Sequence, residues 1–177
     1  MGDDPLYAAS RDVMGSEFRI DRLAPEDPPW DLLLDADPNR TMIMDYWPRG
    51  RAYGLWHGPD LIAEAVFLPT RPLTWELINV AVRDAWRRRG LARALIARGL
   101  EDAHRAGIRV VEVGTADATL GALQLYLTMG FRIVGVDMDF FVRLYRDPVV
   151  DNGRLCRDMI RLALDLSVPG LAGVEED

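Results

Sequence analysis

The chain has 177 residues, 49% of them hydrophobic and 28% charged, with a formal net charge of −7. That balance describes a globular protein with one sizeable core, and it argues against a general affinity for nucleic acid or for an anionic membrane surface. No run of eighteen apolar residues is present to span a bilayer, and the single cysteine, Cys156, excludes an intrachain disulfide and a thiolate metal cluster, so no metal site is expected.

Residues 1–15 are polar and mixed, without an apolar signal run, and are expected to form a fraying tail on a cytoplasmic protein. Residues 17–23 alternate weakly enough for a first strand. Pro25, Pro28 and Pro29 precede Trp30 and the leucines at 32–34, as at a helix start. Asp37-Pro38 is a second start signal, with Met42, Ile43 and Tyr46 at helical spacing before Pro48 and Gly50. Residues 51–56 and 61–68 predict a hairpin across His57-Gly58-Pro59-Asp60, which would leave His57 exposed in the turn. The prolines at 69 and 72 predict a rigid connection into the next strand.

That strand, residues 75–82, is the centre of the chain. It is rich in β-formers, and strict alternation would put Trp75, Leu77, Asn79 and Ala81 on one face. Glu76, Ile78, Val80 and Val82 would share the other, with Glu76 either at a wet edge or partly buried with a raised pKa. Arg87, Arg88, Arg89 and Gly90 follow and open a helix, whose unpaired amides and partial positive charge suit a phosphate. Leu91, Leu95, Gly99 and Ala103 recur every four residues along it, His104 sits in its last turn, and Gly107 is a plausible residue after its end. Residues 108–113 predict a buried strand parallel to the central one, joined by a right-handed crossover. Residues 115–129 predict the next helix, with Asp117 or Thr119 as cap and Leu120, Leu123 and Leu127 facing inward. Residues 131–136, 140–144 and 155–164 are expected to supply further strands, and residues 166–177 a C-terminal tail.

Three motifs, in order, carry a resemblance. Arg87-x-x-Gly90-x-Ala92 resembles the cofactor signature of the GNAT superfamily, the acyl-CoA-dependent N-acetyltransferases. The strand from Glu76 to Val82 is similar to that family's fourth strand, and Leu125-Tyr126-x-x-x-Gly130-Phe131 to its second signature. The residues around Asp139-Phe140-Phe141 and Cys156-Arg157-Asp158 also resemble an uncharacterised bacterial branch of it. The resemblance implies an α/β (α+β) fold: a mixed sheet of six to seven strands splayed around the fourth, flanked by about four helices, in a single domain over residues 16–165. It further implies acetyl-CoA as cofactor. Pantetheine would dock along Val80, Ala81 and Val82, and the pyrophosphate would lie on the amides running from Arg88, Arg89 and Gly90 through Leu91 and Ala92 to Arg93.

In that reading Glu76 takes a proton from the acceptor amine and Tyr126 gives one to the departing thiolate, with no protein nucleophile required. An asparagine that often helps hold the cofactor is replaced here by the stretch containing Asp117 and Thr119. The acceptor would be a small-molecule or peptide amine, and a homodimer is common among such proteins. Asp137, Asp139, Asp147 and Asp151 could line a site for a cationic amine or simply face solvent. Two other classes compete. A non-catalytic acyl-CoA sensor would share the loop but show no turnover, whereas a nucleotide-binding protein would need a Gly-Lys-Ser/Thr or Gly-x-Gly-x-x-Gly motif that is missing.

Overall fold

A computed structural model of the chain describes residues 15, 17–151 and 153–167; most of the two predicted tails lies outside the described residues. Strand β1 (Phe18–Arg22) leads to helices α1 (Trp30–Ala36) and α2 (Arg40–Tyr46), then β2 (Arg51–His57), β3 (Asp60–Arg71) and β4 (Thr74–Val82). Helix α3 (Leu91–Arg105), β5 (Val110–Ala116), α4 (Leu120–Thr128), β6 (Arg132–Asp137), α5 (Phe140–Leu144), the short β7 (Val150–Asp151) and β8 (Arg154–Leu155), and β9 (Met159–Asp165) complete it. Seven strands form one mixed sheet in the order β1-β2-β3-β4-β5-β9-β6, and β7 and β8 pair separately. The α/β arrangement, splayed about the fourth strand, is the expected one, with five helices rather than about four.

The splay has a local cause. Across the β3–β4 ladder Val66 faces Asn79 but Phe67 faces Leu77, so Ile78 is an extra residue bulged out of register. A bulge bends its strand and sharpens its twist. On the other side β4 runs parallel to β5 only from Thr74 to Leu77, opposite Val110 to Val113. Pairing stops where the bulge begins, and residues 78–82 turn away from β5.

The same bulge corrects the predicted faces. Trp75 and Leu77 lie in the core beneath α3 with Leu95, Ile96 and Phe67, and beyond the bulge it is Val80 and Val82 that pack there. Asn79 is displaced to the opposite face, where its side-chain amide donates to the Leu33 carbonyl (3.1 Å) and the Tyr46 hydroxyl (2.7 Å). That second face is covered by α1 and α2 through Leu33, Ile43 and Tyr46. Helix α3 sits close against β3 because Gly99 lies over the Phe67 ring, where a Cβ would collide with it.

Other expectations shift. Pro69 belongs to β3, opposite Trp75, and the connection is the tight turn at Pro72 and Leu73, with Leu73 at φ +60°. The helix signalled by Asp37-Pro38 begins at Arg40, and Asn39 caps it, accepting from the amides of Thr41 and Met42. Thr115 and Ala116 extend β5, so α4 begins only at Leu120. Its inward residues are Ala122, Leu123 and Tyr126, whereas Leu120 and Leu127 are exposed. Residues 140–144 form a helix rather than a strand, and β9 inserts between β5 and β6. His57 is half-buried between the rings of Phe18 (5.1 Å) and Trp86 (4.6 Å) rather than exposed in the turn. Cys156 is buried beside Ala116 and Ala118, as expected of a small core residue.

Candidate active site

Where β4 leaves β5 a cavity of about 980 Å³ opens. Its walls are the α1–α2 segment, β4 from Glu76 to Val80, the end of β5, α4, and the segment from α5 to β7. Glu76 and Tyr126 both line it, which brings together side chains fifty residues apart. Among the described residues no helix is long and apolar enough to cross a membrane and no group of acidic, histidine or cysteine side chains is placed to hold a metal.

Glu76 lies at the end of the gap that is still paired, opposite Glu112 of β5. Burial pushes its carboxyl above the ordinary range; Arg161 opposes this, Glu112 adds to it, and Arg71 opposes it. Arg161 reaches Glu76 Oε1 at 3.4 Å through Nη1 and Asp137 Oδ2 at 3.4 Å through Nη2. Reading the sequence did not single out Arg161. The only signal was an arginine in the middle of an otherwise apolar run, Met159-Ile-Arg-Leu-Ala-Leu.

Tyr126 is 4% exposed, packed edge-on to Phe131, and no protein group among the described residues bonds its hydroxyl. Burial alone pushes that hydroxyl far above the ordinary tyrosine range. A phenol so placed stays protonated and offers a hydrogen bond, but it is a poorer acid than its reference value implies.

The predicted phosphate end lies beyond the far end of β4. Gly90 takes φ +78° as the residue before α3, and no side chain caps the helix, so the amides of Leu91, Ala92 and Arg93 have no partner inside it. Space around Gly90 is open, and Arg88 is also left-handed at φ +60°. A non-glycine residue held there costs about 1 kcal/mol or more, a strain typical of ligand loops. Arg87 is committed within the protein: its guanidinium bonds Asp35 (2.7 Å), Asp84 (2.8 Å) and the Val82 carbonyl (2.9 Å). It therefore braces the loop against α1. Arg88 projects into solvent, Arg89 stacks over Trp86 at 4.9 Å, and Arg93 donates to Thr128 at 2.6 Å.

Of the remaining candidates, Val80 and Thr119 line the cavity. Ala81 and Val82 continue the strand beyond it. Asp117 lies outside the lining and accepts from the Arg157 backbone amide (3.0 Å). Asp147 and Asp151 line the cavity, whereas Asp139 pairs with Arg157. At the outer end the Tyr145 hydroxyl donates to Asp37 Oδ1 at 3.2 Å, tying the α1–α2 loop to the segment after α5 across the opening.

Residues 18–131, from β1 to the turn after α4, match the family model described as Acetyltransferase (GNAT) family. The chain belongs to the GNAT family of acetyltransferases. A curated relative, the Bacillus subtilis (strain 168) protein named Uncharacterized N-acetyltransferase YvbK, is 41% identical over 137 residues, covering 77% of this chain and 88% of its own. A Bacillus subtilis acetyltransferase solved in complex with CoA is 38% identical, with a TM-score of 0.79 over 84% of this chain and 99% of that one. A GNAT family acetyltransferase of Elizabethkingia anophelis with acetyl-CoA bound is 31% identical, with a TM-score of 0.81 over 86% and 100% of the two chains. The GNAT architecture is shared over nearly the full length of these relatives, two of which were solved with the cofactor that the arginine–glycine loop predicts.

Proposed function

We propose that this GNAT chain transfers an acetyl group from acetyl-CoA to a primary amine by direct attack. The observation that carries the reading is the gap between β4 and β5, with Glu76 at its paired end and the uncapped amides after Gly90 beyond its open end. Pantetheine amides pair with the exposed backbone edge of Val80, Ala81 and Val82, as an added strand would. The pyrophosphate rests on the amides of Leu91, Ala92 and Arg93, where the helix dipole favours negative charge. The thioester then points back along β4 towards Glu76.

The amine loses a proton to Glu76, directly or through one water, and its nitrogen attacks the thioester carbon. The carbon–sulfur bond breaks and the thiolate departs. A deeply buried Tyr126 serves this step as a hydrogen-bond donor that stabilises the developing thiolate, because full proton transfer from so weak an acid is uphill. The proton that ends on coenzyme A originates from the amine.

Release of free thiol from acetyl-CoA across a library of primary amines tests the reading, with calorimetry against ATP as a control. Turnover with at least one amine and no ATP binding are expected; cofactor binding without any turnover would favour an acyl-CoA sensor instead. Tyr126→Phe is expected to lower kcat by about tenfold to a hundredfold, with acetyl-CoA affinity unchanged within about twofold. Wild-type kcat would remove Tyr126 from the reaction. Gly90→Val places a Cβ against the phosphate position and forces a β-branched residue into left-handed backbone. It is expected to weaken acetyl-CoA binding at least about tenfold, measured by calorimetry, with no effect on an amine's KM once the cofactor saturates.

A further inference from the structure

We propose that Arg161 is the positioning residue for Glu76, holding its carboxylate from two strands away while dividing its guanidinium with Asp137. The inference rests on the reading of Glu76 as the base.

The geometry is specific. Arg161 stands in the middle of β9, with Gly114 of β5 opposite it on one side and Gly135 of β6 on the other. To reach Glu76 on β4 its side chain must cross β5, where Gly114 brings no side chain of its own and the Met159 side chain lies close over the glycine. On the other side it meets Asp137, the last residue of β6, and the guanidinium carbon lies 5.4 Å from the Phe140 ring centre. The two carboxylate contacts, each 3.4 Å, are long. They orient Glu76 without occupying it bidentately, so an oxygen is left for an amine proton.

A row of charges therefore crosses this face of the sheet, with the two glutamates, Glu112 and Glu76, side by side within it. Arg71 pairs with Glu112 (2.5 Å), Glu76 with Arg161, Arg161 with Asp137, and Asp137 with Arg143. Glu112 takes its own cation from outside the site. Arg161 is left as the one cation in contact with Glu76 among the described residues, while burial and Glu112 both push Glu76 towards its neutral form. A neutral glutamic acid cannot accept a proton, so the base depends on Arg161 to stay ionised as pH falls.

The test is the pH profile of kcat/KM for wild type, Arg161→Met and Asp137→Asn, with any amine that the thiol-release screen identifies. Removing the guanidinium is expected to cost about tenfold at pH 6 and no more than about twofold at pH 9. Asp137→Asn, which leaves Arg161 to Glu76 alone, is expected to move the acid limb the opposite way and raise the relative rate at pH 6. Carbon-13 titration of the Glu76 carboxyl should show the same ordering without turnover, and KM for acetyl-CoA should not move. A uniform loss at every pH, or a profile unchanged in both variants, would overturn the proposal. Should Arg161→Met fail to fold, the direction of the Asp137→Asn shift decides alone. Glu76→Gln separates the two readings. If it retains the wild-type acid limb, the base assignment and this inference both fall; if it abolishes the limb while neither variant moves it, only Arg161 is discarded.

Discussion

Glu76→Gln should lower kcat/KM by about two to three orders of magnitude at pH 7.5 while leaving acetyl-CoA affinity within about twofold of wild type. The substitution keeps the side chain's shape and removes only its ability to take a proton. The affinity should survive because the proposed cofactor contacts run through the backbone edge after Ile78 and the amides after Gly90. The loss should also depend on pH. Burial raises the Glu76 carboxyl, so the wild type is expected to lose activity on acidification sooner than an ordinary glutamate base would. The variant, with nothing to titrate, should show a flatter acid limb. As pH rises and more of the amine is free base, the general base matters less, and the gap between variant and wild type should narrow. Steady-state thiol release from pH 5.5 to 9.5 measures this. Equal rates across the range would show that the amine reaches the thioester already deprotonated and that Glu76 is a structural member of the charge row.

The parts of this architecture that could be read from sequence are those with a short-range signal. The stripe of α3 repeats every four residues, and the arginine–glycine loop is contiguous, so both appear where expected. The bulge at Ile78 was not legible. Residues 75–82 contain no glycine to mark it, and its register is imposed by β3, which supplies Val66 opposite Asn79 and Phe67 opposite Leu77. A one-residue slip inverts every later side chain, which is why Asn79 and Ala81 change faces while Trp75 and Leu77 do not. Arg161 was hidden for a different reason. It meets Glu76 across a sequence separation of 85 residues, and only because β9 inserts between β5 and β6. The helix at Phe140–Leu144 reads as a strand because five apolar-rich residues are too few for periodicity to decide. Its place is set from outside, through the Phe141 amide bonded to the Arg157 carbonyl and ring contacts among Phe140, Phe141 and Tyr145.

Glu64→Gln should convert a pH-sensitive melting curve into a flatter one. Glu64 sits in the middle of β3, wholly buried, and neither carboxyl oxygen has a hydrogen-bond partner among the described residues. It faces the α1–α2 side opposite Ala81, on the face that also holds Asn79. Desolvation pushes its pKa up to about 8, with the Ala81 backbone pulling slightly the other way. The sign of the linkage follows from where each state holds the proton. Between the ordinary glutamate value of 4.5 and about 8 the folded chain keeps a proton that the unfolded chain has released. Stability therefore falls as pH rises through that window and changes no further above it, at up to about 1.4 kcal/mol per pH unit. A glutamine at this position cannot ionise in either state. The variant's advantage should be small at pH 5 and grow to roughly 3 kcal/mol or more by pH 8.5, or about 6–12 °C in Tm for a chain of this size. Other carboxylates contribute equally to both proteins, so the difference between the two melting curves isolates Glu64. Parallel curves from pH 5 to 8.5 would mean that Glu64 is ionised in the folded protein and paired with a group that stabilises its charge.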